Sequence, residues 1–159
     1  MTRVLVTNDD GVTSPGIAAL ARALATVGHD VVVVAPDHDA SGTGASLARI
    51  STDTAIAVTP SSISGFDGDV FGLAGPPAMC VEVAVNGAFG EPPELVVSGI
   101  NAGLNTGRST LHSGTVGAAL AAQNFGLRGL AVSQDQPGKG HWHTAAMLAA
   151  DISVVLMDA

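Results

Sequence analysis

At 159 residues the chain is long enough for one globular domain with a real core, and 47% hydrophobic residues exclude a disordered chain. Six Lys and Arg against fourteen Asp and Glu give a net charge of -8, which repels long nucleic acids and excludes histone-like or helix-turn-helix roles. The lone cysteine, Cys80, excludes an internal disulfide and a multi-cysteine zinc cage, and its apolar neighbours Met79 and Val81 make it a buried small hydrophobe.

Arg3-Val4-Leu5-Val6-Thr7 is a β-branched run opening into polar residues, which predicts a buried strand. Asn8, Asp9 and Asp10 interrupt the apolar run too early for a signal peptide, and no segment has the length of a membrane span. The expectation is a soluble, cytoplasmic protein. Ser14-Pro15 supplies a helix cap with proline at the first helical position; Ile17, Leu20, Ala21, Leu24 and Val27 follow at helical spacing, and Gly28 stops the helix. Residues Asp30 to Pro36 form a strand apolar on both faces, as in a parallel sheet covered by helices. Strand, helix and strand in this order make a βαβ unit.

Residues 37–46 read as a polar loop, and residues 49–74 as a β-excursion with strands at Ala55 to Val58 and Val70 to Leu73. Pro77 to Val85 predicts a helix, Glu94 to Ser98 a buried strand, and Gly99 to Gly114 a long Gly/Asn-rich loop. An alanine-rich helix over Thr115 to Phe125, a strand over Gly129 to Ser133 and a helix over His143 to Met157 complete the chain. The alternation predicts a doubly wound α/β fold of one domain, residues 1–159, with a mostly parallel sheet flanked by helices.

Ligands of such sheets bind at the carboxyl ends of the strands, and three unusual loops leave those ends. In Asn8-Asp9-Asp10-Gly11, adjacent carboxylates repel one another unless a cation lies between them; an Asx-type turn capping the next helix is the competing reading. Ser41-Gly42-Thr43-Gly44-Ala45-Ser46 is a poor dinucleotide fingerprint, and offers either a ligand hydroxyl or a plain turn. Gly138-Lys139 lacks the upstream glycine of a phosphate-binding Walker loop. The third loop, from Ser98 to Gly117, carries Asn101 and Asn105 as neutral oxygen ligands or donors. It ends in Ser113-Gly114-Thr115, where a helix start favours phosphate, although Ser113 also reads as an ordinary cap.

Among the histidines, His29 and His38 read as surface or loop residues, and His141 and His143 as solvent-facing around Trp142. His112, beside Ser113, is a candidate general acid, and Arg108 a candidate partner for phosphate or a solvated cation. With so few cations, a phosphate substrate calls for a metal to neutralise it.

These residues form a recognisable set. Val4 to Val12 with Ser14-Pro15-Gly16-Ile17, then Val32 to Asp37 with Ser41-Gly42, then Ser98-Gly99-Ile100-Asn101 through Ser113 to Ala119 resemble the stationary-phase survival protein family, SurE, of 5′/3′-nucleotidases. The motifs stand in the family's order across the chain. The resemblance implies a Rossmann-like fold and a divalent metal, Mg2+ or Mn2+, held by Asp9, Asp10, Ser41 and Asn101. It also implies hydrolysis of nucleoside 5′- and also 3′-monophosphates, with Asp9 and Asp10 catalytic and with Asn8, Asn105, Ser113, Gly114 and Thr115 around the phosphate. A homodimer or homotetramer and a nucleoside monophosphate substrate, with no long nucleic acid and no membrane, are the expected partners. The chain departs from the family pattern at Ala40 (arginine in the family), at Pro76 and Met79 (hydroxyl and carboxylate), and at His112 (tyrosine). Family members run well past residue 159, so the resemblance implies a fold shortened at its C-terminal part. The rival expectations are a nucleotide-sugar domain on the same fold, or a nucleotide-binding or assembly module without catalysis.

Overall fold

The computed structural model describes residues 1–48, 53, 55–135 and 142–159. Gly138-Lys139, His141 and residues 49–52 and 54 of the expected β-excursion lie outside them. The elements are β1 (Arg3–Thr7), α1 (Pro15–Thr26), β2 (Asp30–Pro36), β3 (Val58–Ser61), β4 (Val70–Leu73) and α2 (Pro77–Val85). They continue with β5 (Leu95–Ala102), a 3₁₀ helix (Gly107–His112), α3 (Gly114–Asn124), β6 (Arg128–Gln134) and α4 (Trp142–Asp158). The six strands lie in the order β3-β4-β2-β1-β5-β6. Among the described residues only β3 runs antiparallel, against β4, so the sheet is mostly parallel, as the alternation predicts.

Alternate residues of each strand explain why both faces are covered. Val4, Val6, Val31, Val33, Leu95 and Val97 face α1 and α4, while Leu5, Val32, Val34 and Val96 face α2 and α3. Each such side chain buried in full contributes about 1.5–3 kcal/mol, and that gain on both faces selects a central parallel sheet. The α1 start follows its sequence signals: Ser14 is the extended N-cap, its Oγ accepts from the Ile17 N–H at 3.5 Å, and Pro15 opens the helix. Cys80 lies fully buried in α2, where desolvation pushes its thiol up to about 12.

Four expectations change. The first excursion strand is Val58–Ser61, not Ala55 to Val58. It is an edge strand exposed on both faces, with Pro60 in it, so burial imprints no periodicity. Strand β5 continues past Ser98 to Ala102, where Asn101 and Ala102 pair with Ser133 and Gln134 beyond an irregularity. Gly99 sits there at φ +144°, with the Val132 carbonyl where a Cβ would stand, so only glycine fits. The expected loop is further shortened by the 3₁₀ helix. His29 is buried rather than at the surface, with Nε2 2.8 Å from Ser153 Oγ of α4.

Strand β1 is the centre of the winding. The chain leaves it through α1 to β2 on one side, and α2 carries it back across to β5 on the other. The carboxyl ends of β1 and β5 therefore flank the topological switch point, where open α/β sheets form their ligand crevice.

Candidate active site at the switch point

Asn8 closes the turn after β1. Its Oδ1 accepts from the Gly11 N–H at 3.2 Å, and its Nδ2 donates to the Gly11 carbonyl at 3.1 Å and to Ser14 Oγ at 2.7 Å. This is the Asx-type turn, joined to the cap of α1. It buries the Asn8 side chain in full and leaves Asp9 and Asp10 to face the neighbouring loops.

Asp9 is nearly inaccessible and is bound on both oxygens by the start of α3. The Gly114 N–H donates to Oδ2 at 3.0 Å and the Thr115 hydroxyl to Oδ1 at 2.6 Å. A buried carboxylate at a helix N-terminus gains from the free N–H groups and from the dipole. Thr115 Oγ1 also lies 3.3 Å from Asn101 Oδ1, which brings the end of β5 into the same cluster. Asn101 Nδ2 donates to the Gly103 carbonyl at 2.8 Å, turning its oxygen toward Thr115. Ser113 caps α3, its Oγ accepting from the Val116 N–H at 3.1 Å.

Asp10 accepts from the Ala102 N–H at 3.2 Å. Desolvation holds its carboxyl above the usual value, and repulsion from Asp9 and Asp39 adds to the shift against the Ala102 hydrogen bond. The second loop is laid against the first by backbone contact, the Ala40 N–H donating to the Asp9 carbonyl at 2.8 Å. Ser41 itself is exposed; its side chain and its N–H (2.9 Å) bind Asp39 and hold that carboxyl below the usual range. The same loop is clamped to α3: the Gly44 N–H donates to the His112 carbonyl at 3.0 Å, and Gly117 leaves no room for a Cβ beneath the Gly44 carbonyl.

The structure thus joins Asp9, Asn101, Gly114 and Thr115 directly, holds Asp10 at the end of β5, and leaves Ser41 connected through Ala40. Asn105 is bonded not to Asp9 but to the end of β6, its Nδ2 donating to Ser133 Oγ at 2.8 Å. His112, Arg108 and His143 are exposed, and so is His38, whose Nδ1 lies 2.6 Å from Asp37 Oδ1. Sequence reasoning missed Ser133, Asp39 and the backbone donors of Ala40 and Ala102. The position of Ser133 at the end of a predicted parallel strand was the one available signal; backbone donors leave none.

The donors fit a hard divalent cation. They are oxygens only, two of them carboxylates, and neither Asp9 nor Asp10 is in an ion pair among the described residues. Among the described residues no three His, Cys, Asp or Glu converge on one point. No helix among the described residues is long and apolar enough to cross a membrane.

Comparison with known proteins places the fold and the chain in a family. The family model for the survival protein SurE matches residues 4–159. Proteins named 5'-nucleotidase SurE from two strains of Xanthomonas campestris pv. campestris are 43% identical over 152 residues, covering 94% of this chain and 56% of theirs. The crystal structure of the SurE protein from Aquifex aeolicus superimposes with a TM-score of 0.82 at 34% identity, covering 98% of this chain and 60% of that one. The chain therefore spans a little over half the length of these relatives. On the family match, the relatives and the shared fold together, the chain belongs to the survival protein SurE family.

Proposed function

We propose that this chain is a divalent-metal-dependent phosphomonoesterase that hydrolyses nucleoside 5′-monophosphates, and 3′-monophosphates as well, to nucleoside and phosphate. The observation that carries the reading is the convergence of Asp9, Asn101 and the α3 start on one cluster at the switch point, with Asp10 held beside it. The 5'-nucleotidase name of the 43%-identical relatives supplies the reaction class.

Asp9, Asp10, Ser41 and Asn101 would hold Mg2+ or Mn2+, which when bound supplies charge neutralisation for phosphate and activation of water. The chain's own residues divide the remaining work. Asp9 is fixed on both oxygens by Gly114 and Thr115, which orients it and makes it a poor covalent nucleophile. Only Oδ2 of Asp10 has a partner among the described hydrogen bonds, so Asp10 is the carboxylate free to accept the proton of an attacking water. Asn105, held by Ser133, offers its remaining amide hydrogen to the phosphate oxygens. Asn8 shapes the turn and Ser113 the helix start, and both act on the phosphate through the residues that they place. A homodimer or homotetramer and a cytoplasmic setting belong to this reading through the family alone.

The test is phosphate release from a panel of nucleoside 5′- and 3′-monophosphates with magnesium, manganese or chelator. Release that survives chelation would overturn the metal mechanism. Nucleotide binding without turnover under every condition would identify the non-catalytic module instead.

A further inference from the structure

Ser133 is the penultimate residue of β6 and is unassigned by any sequence motif. It pairs with Asn101 across β5 and β6, beyond the irregularity at Gly99-Ile100. Its hydroxyl lies 2.8 Å from the Asn105 amide, the side chain that the proposed function puts at the phosphate. The 3₁₀ helix after Asn105 buries none of its residues, so this hydrogen bond ties a lightly packed loop to the rigid end of the sheet.

A serine hydroxyl both donates and accepts, and an asparagine amide offers one end of each kind. Ser133 therefore satisfies either orientation of Asn105. A phosphate dianion does not, because it needs donors. We propose that Ser133 is a positioning residue for phosphate. With phosphate present its hydroxyl keeps accepting one hydrogen of Asn105 Nδ2, which leaves the other N–H of that amide to point at the anion. The inference rests on the reading of this site as a phosphate site. It assigns the end of β6, beside Asn101, to the wall of that site.

The experiment compares the native chain with Ser133→Ala, Ser133→Thr, Asn105→Ala and the Ser133→Ala/Asn105→Ala double variant. Three readouts are used: calorimetric titration with inorganic phosphate in the presence of manganese, KM and kcat for a nucleoside monophosphate, and the NMR resonances of the Asn105 side-chain amide. Ser133→Ala is expected to weaken phosphate binding and raise KM about tenfold, the scale of one lost charge-assisted orientation, with kcat changed less than about threefold. It should also collapse the two Asn105 amide resonances toward free-amide values. Ser133→Thr should restore both, and the double variant should be no worse than Asn105→Ala. Unchanged phosphate affinity and unchanged amide resonances in Ser133→Ala would overturn the proposal, as would full additivity in the double variant. If the native chain hydrolyses no nucleotide, the nucleotidase reading falls; the phosphate titration and the resonances still decide the role of Ser133.

Discussion

Thr115 Oγ1 lies 2.6 Å from Asp9 Oδ1, so a hydroxyl joins the Gly114 N–H in tying the first turn of α3 to the turn after β1. Thr115 also stands 3.3 Å from Asn101 Oδ1. One β-branched side chain thereby sets the spacing of two of the proposed metal ligands, and its stiff χ1 suits that task.

Replacing Asp9 with asparagine should separate chemistry from folding. The Asn oxygen can accept from the Gly114 N–H while its amide donates to Thr115 Oγ1, so every hydrogen bond at the position survives. The ligand charge does not. Phosphate release should fall by at least about 100-fold, with the thermal midpoint nearly unchanged. Retained metal-dependent turnover in Asp9→Asn would remove Asp9 from the ligand set.

Thr115→Val should behave differently. It keeps the shape and deletes the donor, leaving a buried carboxylate oxygen one partner short. The cost is about 1–3 kcal/mol of stability, read by urea unfolding, together with a loss of turnover. Thr115→Ser should recover most of both. Equal stability of the valine variant and the native chain would mean that the hydroxyl does not hold Asp9.

Asp10 predicts a pH effect whose sign follows from its raised carboxyl. The folded state holds the proton more tightly than the unfolded chain. Its contribution is thus fully present below the unfolded value of 3.8 and is lost as pH rises through the folded value. Under chelator, Asp10→Asn should therefore gain stability over the native chain as pH rises above this window. A divalent cation should cancel the gain by favouring the carboxylate. Thermal melts of both proteins across pH, with and without manganese, check this; a pH-independent difference would refute it.

His29 acts in the opposite sense. Desolvation, with repulsion from the amino terminus, lowers its pKa from 6.5, so the fold prefers the neutral ring held against Ser153. That stability is present above 6.5 and is lost as pH falls through the folded value. Unfolding of His29→Gln should lose this acid dependence, and an unaltered pH profile would show that His29 does not couple α4 to the sheet.

The strands and helices around the crevice were legible because burial writes itself into sequence there. Val4 to Thr7 and Asp30 to Pro36 are β-branched and apolar on both faces, and Ser14-Pro15 marks a helix start with local chemistry alone. Edge strand β3 was misplaced by a few residues because neither of its faces is buried. His29 looked exposed because its partner, Ser153, is 124 residues away. The segments bearing Asp9, Asp10 and Asn101 stood out by composition, although Asn101 lies on the end of β5 and not on a loop. What composition could not convey is the division of labour among them: Asn8 is consumed by a turn, and Gly114 and Thr115 bind a carboxylate of the chain itself.

Gly117 bears on how such a site can drift. The seam where it meets the Gly44 carbonyl is backbone on backbone, with no side chain to adjust, while Leu104, Arg108 and Leu111 on the adjoining surface are exposed. Substitution at the seam must move the Ser41 loop and α3 together, whereas the exposed positions are free to change one at a time. A library aimed at new phosphate esters should therefore diversify residues 104, 108 and 111 and leave 44 and 117 untouched. The proposed ligand arrangement would then be kept while the exposed surface changes.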